Sequence, residues 1–348
     1  MPIPDSIGGP VARWLLNIKE PLLRRLAGAP RCNDDGAILD THLRALLTLE
    51  AMARRPLQES LSHAVARAQL LSSVAIIEEP PPNLFRVRDD QIPGPPPLRV
   101  RIYTPRESAA PLPLLLFFHG GGFMLGDLES HDVVCRRFAR DGDCIVVAVD
   151  YRLAPEHRFP AAADDAWTAF RWAVDNAARL GADPNRIAVA GDSAGGNLAT
   201  GICLTAKEQG GPQPIFQLLV YPALDFYRGA ASHRLFADGY FLPASTIDWY
   251  SSNYADRRDW DDQRASPLLA KDLSGVPRAL VVTAGFDPLR DEGRAYAKRL
   301  IEAGVAAEHH EERTFTHGFL NMGGVVPAVR RAHELIGQKL RAALHDAR

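Results

Sequence analysis

Cysteine is scarce in this chain of 348 residues. Only Cys32, Cys135, Cys144 and Cys203 occur, with no CxxC spacing among them. Neither a zinc site nor a dithiol redox motif is therefore expected, and free, mostly buried thiols in a reducing compartment are. Charge of one sign is missing too. The formal net charge is −2, so no polyanionic nucleic acid is expected as a partner. The short basic pairs Arg24-Arg25 and Arg54-Arg55 fit solvated helix faces. Long apolar runs are absent as well: nothing approaches the roughly 20 residues of a membrane span, and no stable membrane insertion is expected. The first 30 residues lack the layout of a signal peptide, because Arg13, Asn17, Lys19, Glu20 and Pro21 break up their apolar residues. A cytoplasmic location is the expectation. Hydrophobic residues make up 46%, enough for a substantial buried core.

Two breaks organise the chain. Pro80-Pro81-Pro82 and the stretch Pro93 to Pro97 separate a helical N-terminal part from the remainder. Before the break, Leu39 to Met52 and Leu61 to Leu71 carry apolar residues at three- and four-residue spacing. After it, strand-like and helix-like segments alternate. The strand candidates are Leu98 to Tyr103, Leu112 to Phe118, Cys144 to Val149, Arg186 to Ala190, Phe216 to Tyr221 and Ala279 to Ala284. Helical stretches between them include Ala161 to Leu180, Asn197 to Glu208 and Pro288 to Ala303. This alternation predicts an α/β fold with a mostly parallel central sheet flanked by helices. The second break, Arg228 to Pro267, is too long for an ordinary connection. Its aromatics Phe236, Tyr240, Phe241, Trp249, Tyr250, Tyr254 and Trp260 suggest a folded insertion that covers something, or one that packs a small core of its own.

The sharpest chemical signal is Gly191-Asp192-Ser193-Ala194-Gly195, with a strand before it and a helix after it. A serine hydroxyl is a weak nucleophile and has to be presented from a tight turn, whose flanking positions must be small. The competing reading is a serine that merely caps the following helix. A second signal, His119-Gly120-Gly121-Gly122-Phe123, directly follows the buried run Leu112 to Phe118. Bare backbone there can bring N–H groups close to a developing oxyanion, and Gly121, Gly122 and Ala194 are the natural donors.

In this chain order the acid follows the serine and the base follows the acid. Asp287 stands just past the strand Ala279 to Ala284 and is the candidate acid. Asp291 and Glu292 are rivals, but they fall inside the next helix, where capping or pairing with Arg290 or Arg294 suits them better. His317 lies in a loop between the strand-like Glu308 to Arg313 and the final helix, Val326 to Leu344, and is the candidate base. His309 and His310 read as structural strand residues, and His333 and His345 as surface residues.

With these residues in place, the sequence resembles the hormone-sensitive-lipase-like bacterial esterases, family IV, of the α/β-hydrolase fold. The resemblance is carried by His119 to Gly122, Tyr151 to Pro160, Gly191 to Gly196 (the Gly-Asp-Ser-Ala-Gly version), Asp287 to Glu292 and the late His317-Gly318. It implies a Ser193, Asp287 and His317 triad with an oxyanion hole at Gly121, Gly122 and Ala194. It also implies a helical cap built from roughly 1–85 and an insertion at 228–268, around a catalytic domain spanning 86–348. A homodimer through the sheet edge near the last strand is a weaker implication. Tyr151 to Pro160 carries no assignable chemistry; Arg152, Glu156 and Arg158 fit ion pairs that hold a loop.

The expected reaction is hydrolysis of short- to medium-chain acyl esters through an acyl-enzyme, with a small-molecule ester as partner and no metal or organic cofactor. The alternatives are an amide, formamide or lactone hydrolase with the same triad, a ligand-binding protein on the same fold, and a long-chain lipase using Val11 to Leu26 at a membrane surface. Phe123, Met124, Asp192, Tyr221, Tyr240, Phe241, Trp249 and Tyr250 are the candidate substrate-pocket residues.

Overall fold

The computed structural model describes residues 19–346. The strands expected after the proline break form one eight-stranded sheet in the order β1-β2-β4-β3-β5-β6-β7-β8. They are β1 (Arg86–Ile92), β2 (Leu98–Thr104), β3 (Leu112–Phe118), β4 (Ile145–Asp150), β5 (Ala182–Asp192), β6 (Phe216–Val220), β7 (Arg278–Phe286) and β8 (Ala307–Thr316). The sheet is parallel from β4 through β8, while β2 runs antiparallel to both β1 and β4. Strand β3 has the sequence LPLLLFF and every residue in it is buried. Such a run belongs at the centre of a sheet with both faces covered.

The two faces divide the apolar residues by parity. Leu114, Leu116 and Phe118 join one core, and Leu115 and Phe117 join the other. The first core packs against α5 (Ala161–Leu180), α6 (Ala194–Gln209) and α9 (Arg290–Glu302). The second packs against α4 (Asp132–Gly142) and α10 (Pro327–His345), with α1 (Glu20–Ala27) and α2 (Thr41–Ala53) beside them. Helix α5 shows why a sequence of this kind folds so. Ala162, Ala166, Ala169, Phe170, Ala173, Ala177 and Leu180 recur at helical spacing and are all buried, and the helix ends on the left-handed Gly181.

Strand β1 was not legible: its sequence RVRDDQI lacks an apolar alternation, as suits the edge of the sheet. His333 corrects another expectation. It is buried, not at the surface: its Nε2 lies 2.7 Å from the Leu320 carbonyl and its ring faces Phe138 of α4 at 6.3 Å. His345 is exposed, as expected, with its Nε2 3.1 Å from the Asp143 carbonyl oxygen. The four cysteines are unpaired, and only Cys32 is exposed.

The remaining helices, α3 (His63–Ile77), α7 (Ala231–Leu235) and α8 (Ala244–Tyr254), gather at the carboxyl ends of the parallel strands. Asp40 starts α2 by accepting hydrogen bonds from the N–H groups of His42 and Leu43. The chain just before it is pinned to the β7–β8 end of the sheet. Asn33 Nδ2 donates to the Gly285 carbonyl at 3.0 Å, and the Asp40 N–H donates to the Thr314 carbonyl at 3.0 Å. The buried Arg290 guanidinium grips both oxygens of Asp34 at 2.7 and 2.9 Å. Of the segment Val11 to Leu26, residues 11–18 lie outside the described residues; the rest enters α1, where Leu23 is buried. Among the described residues no helix is long and apolar enough to cross a membrane.

Phe170 is fully buried in the first core, so Phe170→Ala is expected to lower unfolding free energy by about 3 to 5 kcal/mol, read from urea midpoints.

Candidate active site

The turn at the end of β5 is shaped by contact rather than by propensity. A Cβ on Gly195 would stand 1.9 Å from the Phe118 carbonyl oxygen, and one on Gly191 would stand 2.1 Å from the Gly195 carbonyl carbon. Only glycine fits. The compression forces Ser193 into φ 54°, ψ −118°, a conformation that costs a side-chain-bearing residue on the order of 1–3 kcal/mol. Flanking hydrogen bonds hold it there: the Ser193 N–H donates to the Val220 carbonyl at 2.9 Å, and the Ser193 carbonyl accepts from the Ala223 N–H at 3.1 Å. The Ser193 side chain makes no capping hydrogen bond to α6, so the reading of Ser193 as a helix cap fails.

The hydroxyl faces His317. Ser193 Oγ lies 3.0 Å from His317 Nε2, and His317 Nδ1 lies 2.8 Å from Asp287 Oδ2. A carboxylate can only accept, so Nδ1 carries the proton and Nε2 is left to accept from the serine hydroxyl. Asp287 is fully buried directly after β7, and its second oxygen accepts the Leu289 N–H at 2.8 Å. His317 follows β8 directly and has the ring of Tyr221 behind it at 4.7 Å. A relay of this geometry can take the proton from Oγ and hold the resulting imidazolium.

The rivals of Asp287 are engaged elsewhere. Asp291 pairs with Arg290 and Arg294, as its position suggested. Glu292 does not pair with arginine. It is buried, accepts the Leu224 N–H at 2.8 Å and meets His233 Nε2 at 3.2 Å. Burial pushes its carboxyl up to about 7, against the pull of His233 and the Leu224 amide.

Gly121 and Gly122 follow β3 with φ of 117° and 61°, and their N–H groups donate to no backbone acceptor among the loop hydrogen bonds of the described residues. Ala194 opens α6, where a first-turn N–H has no partner within the helix. Gly121, Gly122, Ala194, Ser193 and His317 all border one cavity of about 670 Å³. The Tyr250 ring is seated on Gly122 so closely that a Cβ there would fall 2.2 Å from the ring. Tyr250 in turn donates its hydroxyl to Gln58 at 2.8 Å, and Thr246 donates to Glu59 at 3.0 Å. The N-terminal segment and the insertion thus meet over the serine, and Leu47, Leu57, Leu70 and Val74 contribute apolar wall.

Of the pocket residues expected from the sequence, Phe123, Asp192, Phe241 and Tyr250 border the cavity. Met124, Tyr221, Tyr240 and Trp249 do not. Met124 is buried in the first core, Tyr221 backs His317, Tyr240 packs on Phe236 and Phe286, and Trp249 sits beside Tyr250. Phe123 stacks on Tyr254 at 3.8 Å, which ties the glycine loop to the insertion. Asp192 is a special case: its Oδ1 accepts the Gly120 N–H at 2.8 Å, so it braces the glycine loop. The walls from the N-terminal segment, above all Gln58, Glu59 and Leu70, were missed, because nothing in a helical pattern says which end of the sheet it will cover.

The Tyr151 to Pro160 loop is held as its charges suggested. Arg152 pairs with Asp165, Glu156 with Arg67, and Arg158 with Asp256. No group of histidine, cysteine and acidic side chains suited to a metal ion occurs among the described residues.

A serine on a strained strand-to-helix turn, backed by a loop histidine and a strand-end carboxylate, is the arrangement used by serine hydrolases on α/β sheets. Comparison with known proteins agrees. Residues 115–321 match the family described as alpha/beta hydrolase fold. The carboxylic ester hydrolase LipN of Mycobacterium tuberculosis is 42% identical over 325 residues, covering 91% of this chain and 85% of LipN. The ethyl acetate hydrolase of Pseudomonas putida is 42% identical over 233 residues, covering 66% and 73%. The structure of an ester hydrolase from the metagenome of Lake Arreo, complexed with a bipyridine phosphonate derivative, superimposes with a TM-score of 0.85 at 44% identity, covering 87% of this chain and 98% of that one. The chain belongs to the alpha/beta hydrolase family, in its hormone-sensitive-lipase-like branch.

The raised Glu292 carboxyl has a consequence for stability. Unfolded, it ionises near its ordinary 4.5; folded, it keeps its proton to about 7. The folded state binds the extra proton between these values, so this group's contribution falls as pH rises through that window and is level above it. Glu292→Gln removes the loss. Relative to wild type, the variant is expected to gain stability from about pH 5 to about pH 8, measured as urea unfolding at both; a pH-independent difference would contradict this.

Proposed function

We propose that this chain hydrolyses short- to medium-chain carboxylic esters through an acyl-Ser193 intermediate. The observation that carries the reading is the Ser193–His317–Asp287 relay, at 3.0 and 2.8 Å, opening into a largely apolar cavity. His317 takes the Oγ proton as Oγ attacks the ester carbonyl. The Gly121, Gly122 and Ala194 N–H groups receive the oxyanion, and Asp287 stabilises the imidazolium. The imidazolium then protonates the leaving alcohol. A water, deprotonated by His317, attacks the acyl carbonyl, and collapse of the second oxyanion returns the proton to Ser193 and releases the acid. None of these steps calls on a metal or organic cofactor.

The walls supplied by Leu47 to Val74 and by Phe241 to Tyr250 support the reading of roughly 1–85 and 228–268 as a cap over the catalytic domain. Pairing of two copies along β8, which ends the sheet, belongs to the same reading. So does a cytoplasmic location, which the four unpaired cysteines suit.

Ser193→Ala is expected to reduce p-nitrophenyl butyrate hydrolysis to the uncatalysed background while the protein stays folded; turnover that survives the change excludes Ser193 as nucleophile. Across acetate to laurate esters, kcat/KM is expected to peak at the short to medium chains. Faster cleavage of a matched amide would instead mark an amidase.

A further inference from the structure

Asp192 poses an electrostatic problem that the relay does not solve. It is a buried carboxylate beside the place where the reaction develops negative charge. An unpaired charge there would oppose the oxyanion and would cost several kcal/mol to bury. Its Oδ1 accepts the Gly120 N–H, but an amide dipole alone does not cancel a full charge.

His131, at the start of α4, is the one cationisable side chain within hydrogen-bond distance of Asp192 among the described residues. Its Nε2 lies 3.2 Å from Asp192 Oδ1, and it too is buried and borders the cavity. The polar contacts on the two sides of the ring bear on its protonation. On the far side, Nδ1 lies 2.9 Å from Ser130 Oγ. The Ser130 hydroxyl accepts the Asp127 N–H at 2.9 Å and faces the Asp127 carbonyl at 2.9 Å, where its single proton has an acceptor. What Ser130 offers Nδ1 is therefore a lone pair, so Nδ1 carries hydrogen. What an ionised Asp192 offers Nε2 is also a lone pair, so Nε2 carries hydrogen as well. A ring with two acceptors is an imidazolium.

We propose that His131 is a positioning residue for the oxyanion loop: held as an imidazolium, it neutralises Asp192 and keeps that carboxylate clamped on the Gly120 N–H, which sets the Gly121 and Gly122 donors. This rests on the reading of those glycines as oxyanion donors. The charged and titratable groups facing His131 are Asp192 from the serine turn, Glu78 after α3, Asp127 from the glycine loop and His119 after β3. Burial opposes the charged ring, but Asp192 above all, with Glu78 and Asp127 behind it, holds His131 above its ordinary value; burial pushes the Glu78 carboxyl itself up to about 7, so Asp192 is the principal counter-charge. His119, the one neighbouring base, is pushed down to about 4 by burial and by His131, and so stays neutral. The role is distinct from that of His317, which moves a proton each turnover; His131 keeps both of its own.

Two measurements test this. Histidine-selective nitrogen NMR of the wild-type protein at pH 7, with the His131 pair assigned by its loss in His131→Asn, is expected to show both ring nitrogens protonated. In His131→Asn, kcat for p-nitrophenyl butyrate is expected to fall about tenfold or more, with KM changed less than about threefold, the split that marks a lost transition-state interaction. One unprotonated His131 nitrogen at pH 7 overturns the proposal. So does a folded His131→Asn variant with wild-type kcat, or one whose whole loss appears in KM. Should the variant not fold, assignment through Asp192→Asn leaves the nitrogen spectrum as the deciding measurement. Wild-type protein without ester turnover would instead sink the functional reading, and the protonation of His131 would still be read independently.

Discussion

The active-site end of the molecule depends on one steric constraint, the closeness of Gly195 to the Phe118 carbonyl oxygen. That contact joins the end of β3 to the start of α6, and so fixes the glycine loop and the serine turn relative to each other. A strained Ser193 follows, because a turn this tight leaves its apex no ordinary backbone conformation. The strain is affordable because the strands behind it are the most buried part of the sheet. The hydroxyl then projects beyond the strand ends, where β7 and β8 deliver Asp287 and His317.

Much of this was legible in the sequence, for physical reasons that differ from element to element. Strand β3 and helix α5 were read with their observed bounds, because a strand covered on both faces must be continuously apolar and a helix against a sheet must repeat its small residues. The serine turn was legible because close approach admits only glycine at two fixed positions. Asp287 and His317 were legible from chain order and strand ends. Strand β1 was hidden by its edge position, and His333 by the lack of any rule saying which side of α10 another helix will cover. The pocket list fared unevenly for a similar reason. Aromatic content identifies an insertion that packs on something, but the choice between Tyr250, which meets the cavity, and Trp249, one residue away, depends on the rotation of a single helix.

Charge placement separates the chemistry from its surroundings. Asp287 is buried with one amide and one imidazole, while Asp291 and Glu292 in the helix that follows have other partners. Asp291 and Arg290 tie α9 to Asp34 and Asp35, which carries the N-terminal segment onto the site. Glu292 faces inward and holds the Leu224 amide on the approach to the insertion. Three consecutive charged side chains thus brace the two chain segments that form the cavity walls, and do so from the first turn of α9, just after Asp287.

The hydroxyl bond from Tyr250 to Gln58 joins positions 192 residues apart along the chain. With it, a wall of the cavity is made from two segments that are neighbours only in the folded state. A molecule lying against that wall touches both at once and acts as a transient cross-link, opposing their separation by mass action. Occupancy and local rigidity are then two descriptions of one equilibrium. The same architecture lets the shape of the cavity drift through substitutions in either segment without disturbing the strand ends that hold Ser193, His317 and Asp287.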